Sequence, residues 1–212
     1  VPTIHEQNRT VHNATAAGIV ATCHVSLSRN RSMKLIVMLS VLLGFSASSF
    51  AAEIALVNPG FETPMQGEDI PGWTQLQHAG IAAYEMGIDS KIFHGGKHSF
   101  RMKRIAEQMY GLLEQTVPVV GVGGKDIELS AMLRSEGVGK EGWRLSVNFM
   151  TGSGDILTQA NSAIVTGTKK SWRRVVLLAK APAGTTSISV GLLLQDRGTI
   201  WADDIHLRAV EK

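Results

Sequence analysis

Beyond Glu53, the hydrophobic positions of this chain alternate with polar ones or fall in short runs, and no stretch repeats at the spacing of a helix. The clearest alternation covers residues 126–135, with Ile127, Leu129, Ala131 and Leu133 set against Glu128, Ser130, Met132 and Arg134. Residues 144–151 repeat it, with Leu145, Val147 and Phe149 set against Arg144, Ser146, Asn148 and Met150. Successive side chains of a strand point to opposite faces, so each set predicts one buried and one outward face. Further strands are predicted at 54–57, 72–77, 80–86, 98–105, 110–119, 156–159, 171–179, 186–195 and 199–209. Glycine-rich turns separate them, as in HGGK at 94–97 and GVGG at 121–124. Strands in this number without helices predict an all-β chain of two packed antiparallel sheets.

The last predicted strand contains GTIWADDIHL at 198–207, in which Thr199, Trp201 and Asp203 alternate with Ile200, Ala202 and Asp204. One of the adjacent carboxylates must therefore turn inward. A buried carboxylate needs a cation or several donors, or it becomes neutral. The first predicted strand runs into NPGFE at 58–62. With the first and last strands side by side, Glu62 and Asp204 converge, and hard oxygen ligands with neighbouring carbonyls suit Ca²⁺. The alternative is that both carboxylates accept backbone N–H bonds and hold no ion.

These segments occur in a fixed order: N-x-G-F-E, P-G-W at 71–73, G-K-H-S at 96–99, W-x-R at 172–174, A-P-A-G at 181–184, then GTIWADDIHL. In this the chain resembles the galactose-binding-like jelly rolls of the family 4/9 carbohydrate-binding modules. The resemblance implies a jelly-roll β-sandwich that binds a polysaccharide or oligosaccharide in a groove on its concave sheet, without catalysis. It also implies a structural Ca²⁺, held by the side chains of Glu62 and Asp204 and by backbone oxygens of Asn58, Gly60 and Lys97. The polar part of the groove is expected from the outward set Gln115, Glu128, Ser130, Arg134, Arg144, Asn148 and Gln195. Tyr84, Tyr110 and Trp143 are its candidate stacking platforms, and Trp73, Trp172 and Trp201 are expected to pack within the sandwich. The site so predicted comprises Tyr84, Gln115, Glu128, Arg134, Trp143, Asn148 and Gln195. Met132 and Met150 stand where stacking aromatics would be expected, and methionines make an adaptable apolar surface. The alternative function is therefore an exported jelly roll that associates with a cell-surface protein.

Charge and termini refine this picture. Met33 and Lys34 precede the apolar run at 35–45 and small residues up to Ala51, the pattern of a signal peptide over 33–51. The apolar run is shorter than the roughly 20 residues of a spanning helix. Residues 1–32 read as translation upstream of the true start, leaving 52–212 as the folded domain of a secreted or periplasmic protein. Cys23, the only cysteine, falls before that domain, which therefore has no disulfide or thiol nucleophile. The net charge of +3 is supplied by Arg9, Arg29, Arg31 and Lys34 against Glu6, so the folded part is neutral and carries no nucleic-acid signature. No nucleophile elbow or zinc-protease motif occurs, and His78, His94, His98 and His206 are scattered singly. His94 and His98 flank one turn and have no evident third ligand. Glu114 and Glu128, were they to share a sheet face, would be the candidate pair for glycoside hydrolysis, but a salt-bridged role is the stronger expectation.

Overall fold

The computed structural model describes residues 52–210; the expected signal peptide and the segment before it lie outside the described residues. Every regular element among the described residues is a strand: β1 (Ala52–Ile54), β2 (Thr74–Gln77), β3 (Tyr84–Asp89), β4 (Ser99–Arg104), β5 (Gly111–Pro118), β6 (Asp126–Met150), β7 (Ile156–Asn161), β8 (Val165–Lys180), β9 (Ser187–Leu194) and β10 (Thr199–Val210). All pairings between them are antiparallel.

The strand β6 belongs to two layers. Its first part lies between β8 and β10, and β10 pairs on its other side with β4 near its start and with β1 near its end. With β3 added outside β4, this is the first layer. Residues 143–150 of β6 lie between β9 and β7, and β9 continues through β5 to β2 to form the second layer. The sequence predicts two separate strands, at 126–135 and 144–151; the structure has one strand that bends. Gly137 and Gly142 take positive φ at the bend, which L side chains disfavour, and the register against β8 slips between Leu133 and Trp143.

Alternation then builds the core. Ile127, Leu129, Ala131 and Leu133 from one half of β6, and Leu145, Val147 and Phe149 from the other, are buried in a single cluster with Phe100, Met102, Leu113, Val190 and Leu192. The fold is an all-β jelly-roll sandwich, as expected, and both alternating segments present the predicted faces inward.

Several local readings change: the strand expected at 80–86 is β3, and the one expected at 171–179 begins earlier, as β8. The first strand is Ala52–Ile54 rather than 54–57, because Val57 leaves the sheet to exchange hydrogen bonds with Gln115: its N–H donates to Oε1 at 2.7 Å and its carbonyl accepts from Nε2 at 2.9 Å. Trp201 does not pack between the sheets. It lies on the outer face of the first layer, buried there, with its indole N–H on Asp89 Oδ2 at 2.9 Å. Trp172 on β8 is half-buried against the edge of the His94 ring. Trp73 packs over the first turn as predicted: its N–H donates to the Asn58 carbonyl at 3.1 Å and its ring lies 5.5 Å from that of Phe61.

Candidate functional site

The two ends of the domain meet where β10 changes partner from β4 to β1. A bulge between Asp203 and His206 accommodates the change. Asn58, Phe61 and Asp204 all adopt positive φ here, and they are the non-glycine residues that do so among the described residues. Such a conformation costs about 1–2 kcal/mol per residue, so backbone strain is concentrated at this corner. The carboxylate that is buried is Asp203, on the same side of β10 as Trp201 and covered by the loop at His94–Gly95, with none of its surface exposed. It accepts the N–H groups of His94 (2.8 Å) and Gly95 (3.0 Å) on Oδ2, and that of Asp204 (2.8 Å) on Oδ1. Burial pushes its carboxyl up from the ordinary range; the three N–H bonds oppose that shift and the neighbouring Asp204 charge adds to it.

Asp204 and Glu62 are neighbours. A Cβ placed on Gly60 would lie 3.9 Å from Asp204 Oδ1, 4.0 Å from Glu62 Cγ and 3.7 Å from Asp203 Oδ1. One on Gly95 would press on Asp204 at 2.9 Å, and one on Gly96 would overlap the Glu62 carboxylate, so glycine is required for this close approach. Glu62 accepts the N–H groups of Lys97 (2.8 Å) and His98 (3.1 Å), which hold its carboxyl below the usual range. The two histidines flanking this turn do not meet on one ion: His94 Nδ1 lies 2.6 Å from Asp204 Oδ2, and His98 Nδ1 lies 3.2 Å from Glu62 Oε2. Among the described residues no three His, Cys, Asp or Glu side chains are grouped as metal ligands. The Asn58 carbonyl, an expected ion ligand, accepts from both the Phe61 N–H and the Trp73 indole. Apart from the buried Asp203, the hard oxygens beside Gly60 are Asp204 Oδ1, which has no partner among the described residues, and the Glu62 carboxylate, whose two oxygens already meet Lys97 and His98. A glycine cradle shapes this set, and it suits Ca²⁺ in kind.

The outer face of the first layer pairs most of its charged groups with one another, although Arg208 Nε is shielded and has no partner. Glu128 Oε1 accepts from Arg174 at 2.6 Å and Arg208 at 2.8 Å, and Arg174 also reaches Ser130 Oγ at 3.1 Å. Burial disfavours the Glu128 charge, but the two guanidinium groups outweigh it and hold the carboxyl below its usual range. The guanidinium of Arg134 lies over the Trp201 ring, 5.6 Å from its centroid.

The outer face of the second layer is different. Its register gives lateral rows of side chains on one face: Leu76, Leu112, Leu193 and Arg144; then Thr74, Glu114, Gly191, Ser146 and Asn161; then Thr116, Ser189, Asn148 and Gln159. Ser146, Ser189 and Gly191 are buried, whereas Leu112, Leu193, Glu114, Arg144 and Asn148 around them are half-exposed, so the surface dips along the small residues. A Cβ on Gly191 would stand 2.5 Å from Ser146 Oγ and 2.9 Å from Leu112 Cδ1, closing the dip. Ser189 Oγ donates to Glu114 Oε2 at 3.2 Å, and Arg144 donates through one terminal nitrogen to Gln195 Oε1. Asn148 Oδ1 and Arg144 Nε are shielded and have no partner. An orphaned buried polar atom costs ~1–3 kcal/mol, which a bound water or ligand removes. Gln195 also lines a cleft of about 470 Å³ at the end of this face, with Asp196, Lys140, Glu141, Arg104 and Glu107.

The residues predicted to form one groove are thus divided among three places. Tyr84, Gln115 and Trp143 face the interior: Trp143 is fully buried, Tyr84 nearly so with its hydroxyl donating to the Gln108 carbonyl at 3.3 Å, and Gln115 is tied to Val57. None of the three is a platform or an outward polar group. Glu128 and Arg134 lie on the outer face of the first layer, and Asn148 and Gln195 belong to the second. Tyr110 is half-buried edge-on to His78. Glu114 and Glu128 are on different layers, which removes them as a catalytic pair, and Met132 and Met150 are likewise on different layers, so no methionine groove forms. Glu114, Ser189 and Gly191 were not anticipated in the site. Their signal is the strand SISVGLLL, in which Ser187, Ser189 and Gly191 alternate with Ile188, Val190 and Leu192.

No family model matches the chain. Several solved structures share its fold. The sandwich is similar to those of carbohydrate-binding modules. The CBM22-1 xylan-binding domain of Paenibacillus barcinonensis Xyn10C superposes with a TM-score of 0.54 at 16% identity, over 78% of this chain and 99% of that one. The CBM22-1–GH10 modules of Clostridium thermocellum xylanase 10B, complexed with xylohexaose, give 0.55 at 14% identity over 76% of this chain and 29% of that one. The enzymatically active domain of bacteriophage CBA120 tailspike protein 4 gives 0.57 at 14% identity, over 73% and 21% respectively. In sequence, the chain is 27% identical over 146 residues to an uncharacterized HTH-type transcriptional regulator, YbfP, of Bacillus subtilis, and spans about half (48%) of that protein. The described residues hold no helix, so a helix-turn-helix has no counterpart among them.

Proposed function

We propose that this protein binds a polysaccharide or oligosaccharide, without catalysis, on the outer face of the second layer, using Arg144, Asn148, Glu114 and Gln195 around the floor of Ser146, Ser189 and Gly191. The observation that carries this reading is a dip kept open by Gly191 and ringed by the half-exposed polar side chains of Glu114, Arg144 and Asn148. A sugar hydroxyl both donates and accepts, so it suits a floor ringed by an amide in Asn148, a carboxylate in Glu114 and a donor in Arg144. The likeness in fold to xylan-binding modules supports the same ligand class. Export follows from the signal-peptide pattern at 33–51, and among the described residues no helix is long and apolar enough to cross a membrane.

The test is a glycan array followed by calorimetric titration of the hits. Asn148→Ala or Arg144→Ala weakens binding at least tenfold, and Arg134→Ala on the opposite layer leaves it unchanged. Loss of binding with Arg134→Ala instead, or a silent array with capture of one cell-surface protein, refutes the assignment.

The same reading includes a structural Ca²⁺ at the corner of the two chain ends, held by Asp204 and Glu62 with the carbonyls of Gly60 and Lys97. Its support is the pairing of two carboxylates, with strained backbone at Asp204 and at Phe61 next to Glu62, beside a third, buried one. Such an ion offsets their mutual repulsion and takes no part in ligand contact. Melting temperature measured with Ca²⁺ and with chelator rises with the ion; identical values refute the site.

A further inference from the structure

The rows on the second layer differ in chemistry in a way that bears on the ligand. Two of them carry groups that meet hydroxyls: Glu114, Ser146, Ser189, Asn148, Thr116 and Gln159 donate, accept, or do both. The remaining row has three leucines and an arginine. Leu76 and Leu112 are directly paired across β2 and β5, Leu112 and Leu193 across β5 and β9, and Leu193 and Arg144 across β9 and β6. Neighbouring strands are about 4.8 Å apart, so the leucines form an apolar strip that runs straight into a guanidinium. Leu76 is 40% exposed, and Leu112 and Leu193 are half-buried.

No aromatic ring stands in these rows. An aliphatic strip lacks the π face on which a pyranose stacks and gains only from apolar area removed from water. A hydroxyl-covered sugar offers little such area, whereas a methyl offers its whole surface. The group at the end of the strip is a donor only: Arg144 has N–H bonds and no lone pair. One terminal nitrogen is occupied by Gln195 and Nε is shielded, so the other terminal nitrogen is the one open to an acceptor. A hydroxyl can pair with any group on the face, but a methyl beside a carbonyl oxygen matches a leucine beside a donor-only group and nothing else there.

We infer that the ligand is an acetylated glycan, with acetyl methyls on Leu112 and Leu193 and an acetyl carbonyl accepting from Arg144. The inference rests on the glycan reading of this face and deepens it. O-acetyl and N-acetyl groups present the same methyl and carbonyl, and the test separates them.

The unaltered protein is titrated calorimetrically with partially O-acetylated xylo- and glucomanno-oligosaccharides before and after mild alkali, which removes O-acetyl groups. In parallel it is titrated with the tetramer of N-acetylglucosamine and its de-N-acetylated form. Each buried methyl strengthens binding about fourfold, so removing the acetyl groups from the preferred class weakens it tenfold or more. Leu193→Ala and Leu112→Ala bring the acetylated form down to the affinity of the deacetylated one, whereas Asn148→Ala weakens both alike. Equal affinity for both members of both pairs, or tighter binding of the deacetylated forms, overturns the inference and leaves glycan binding intact. Absence of binding to every member of both pairs, on a protein whose glycan array is positive elsewhere, also overturns it; a silent array removes the glycan reading itself. If a leucine variant fails to fold, the matched pairs on the unaltered protein decide alone.

Discussion

Replacing Asp203 tests what holds the loop before β4 against the last strand. Its carboxylate is wholly buried and receives three backbone N–H bonds, two from the loop at His94–Gly95 and one from Asp204. Hydrogen bonds to a charged group are worth about 1.5–3 kcal/mol each, so the gross interaction is large. The net is smaller, because taking a carboxylate out of water costs several kcal/mol and its upward-shifted pKa shows that the bonds do not fully offset that cost. Asp203→Ala leaves three N–H groups without an acceptor. Water reaches the loop in part, and the expected loss is about 3 kcal/mol of unfolding free energy. Asp203→Asn keeps an amide oxygen for the two loop N–H groups but turns an NH₂ toward the Asp204 N–H, and it also removes the buried charge. Its expected cost is about 1 kcal/mol. Urea unfolding in chelator, which excludes any contribution from an ion, measures both values. A group whose folded pKa is raised stabilises most below its unfolded pKa and loses that contribution as pH rises through the folded value. The wild type's advantage over Asp203→Asn is therefore larger in acid, below the ordinary aspartate range, and narrows toward neutrality. Asp203→Ala within 0.5 kcal/mol of wild type, or a gap that widens toward neutral pH, would refute this account of the corner.

Three other outcomes are expected. Glu128→Gln costs about 1–3 kcal/mol at neutral pH, because two guanidinium groups lose their shared carboxylate. Since the Glu128 carboxyl is held low, that contribution is present above the ordinary glutamate pKa and is lost as pH falls through the folded value, so paired urea melts at pH 7 and pH 3 should differ. Trp143→Phe is within about 1 kcal/mol of neutral, since it removes an indole N–H that has no partner, while Trp143→Ala costs about 3–5 kcal/mol. Ligand affinity of the folded Trp143→Phe protein is unchanged, and a loss would mean that this ring touches the ligand after all. Gly191→Ala shifts thermal unfolding by only a few degrees, as Ser146 and Leu112 offer side-chain ends that can give way, but lowers glycan affinity at least tenfold by filling the dip; unchanged titrations would show that the ligand lies elsewhere.

Strand identity was legible in the chain because period-two alternation writes the inward face directly, as at Ile127–Leu133 and Leu145–Phe149. The meeting of the chain ends was legible too: the first strand was expected beside the last, and β1 pairs with β10, whereas it was the glycine-rich turn before β4 that supplied donors to the buried Asp203. Alternation says only which residues share a side of one strand. It does not say which strands share a layer. That depends on where β6 bends, and the bend separates Glu128 and Arg134 from Arg144 and Asn148 although all four are outward on the same strand. Nor does it weigh the pull of a particular partner: Gln115 turns inside because the departing backbone at Val57 offers it both a donor and an acceptor. Local chemistry along the chain thus determined the strands, the sandwich and the acidic corner. Assembly alone decided the composition of each outer face, because a face is made from strands distant in sequence whose register is fixed only when two sheets close over one core.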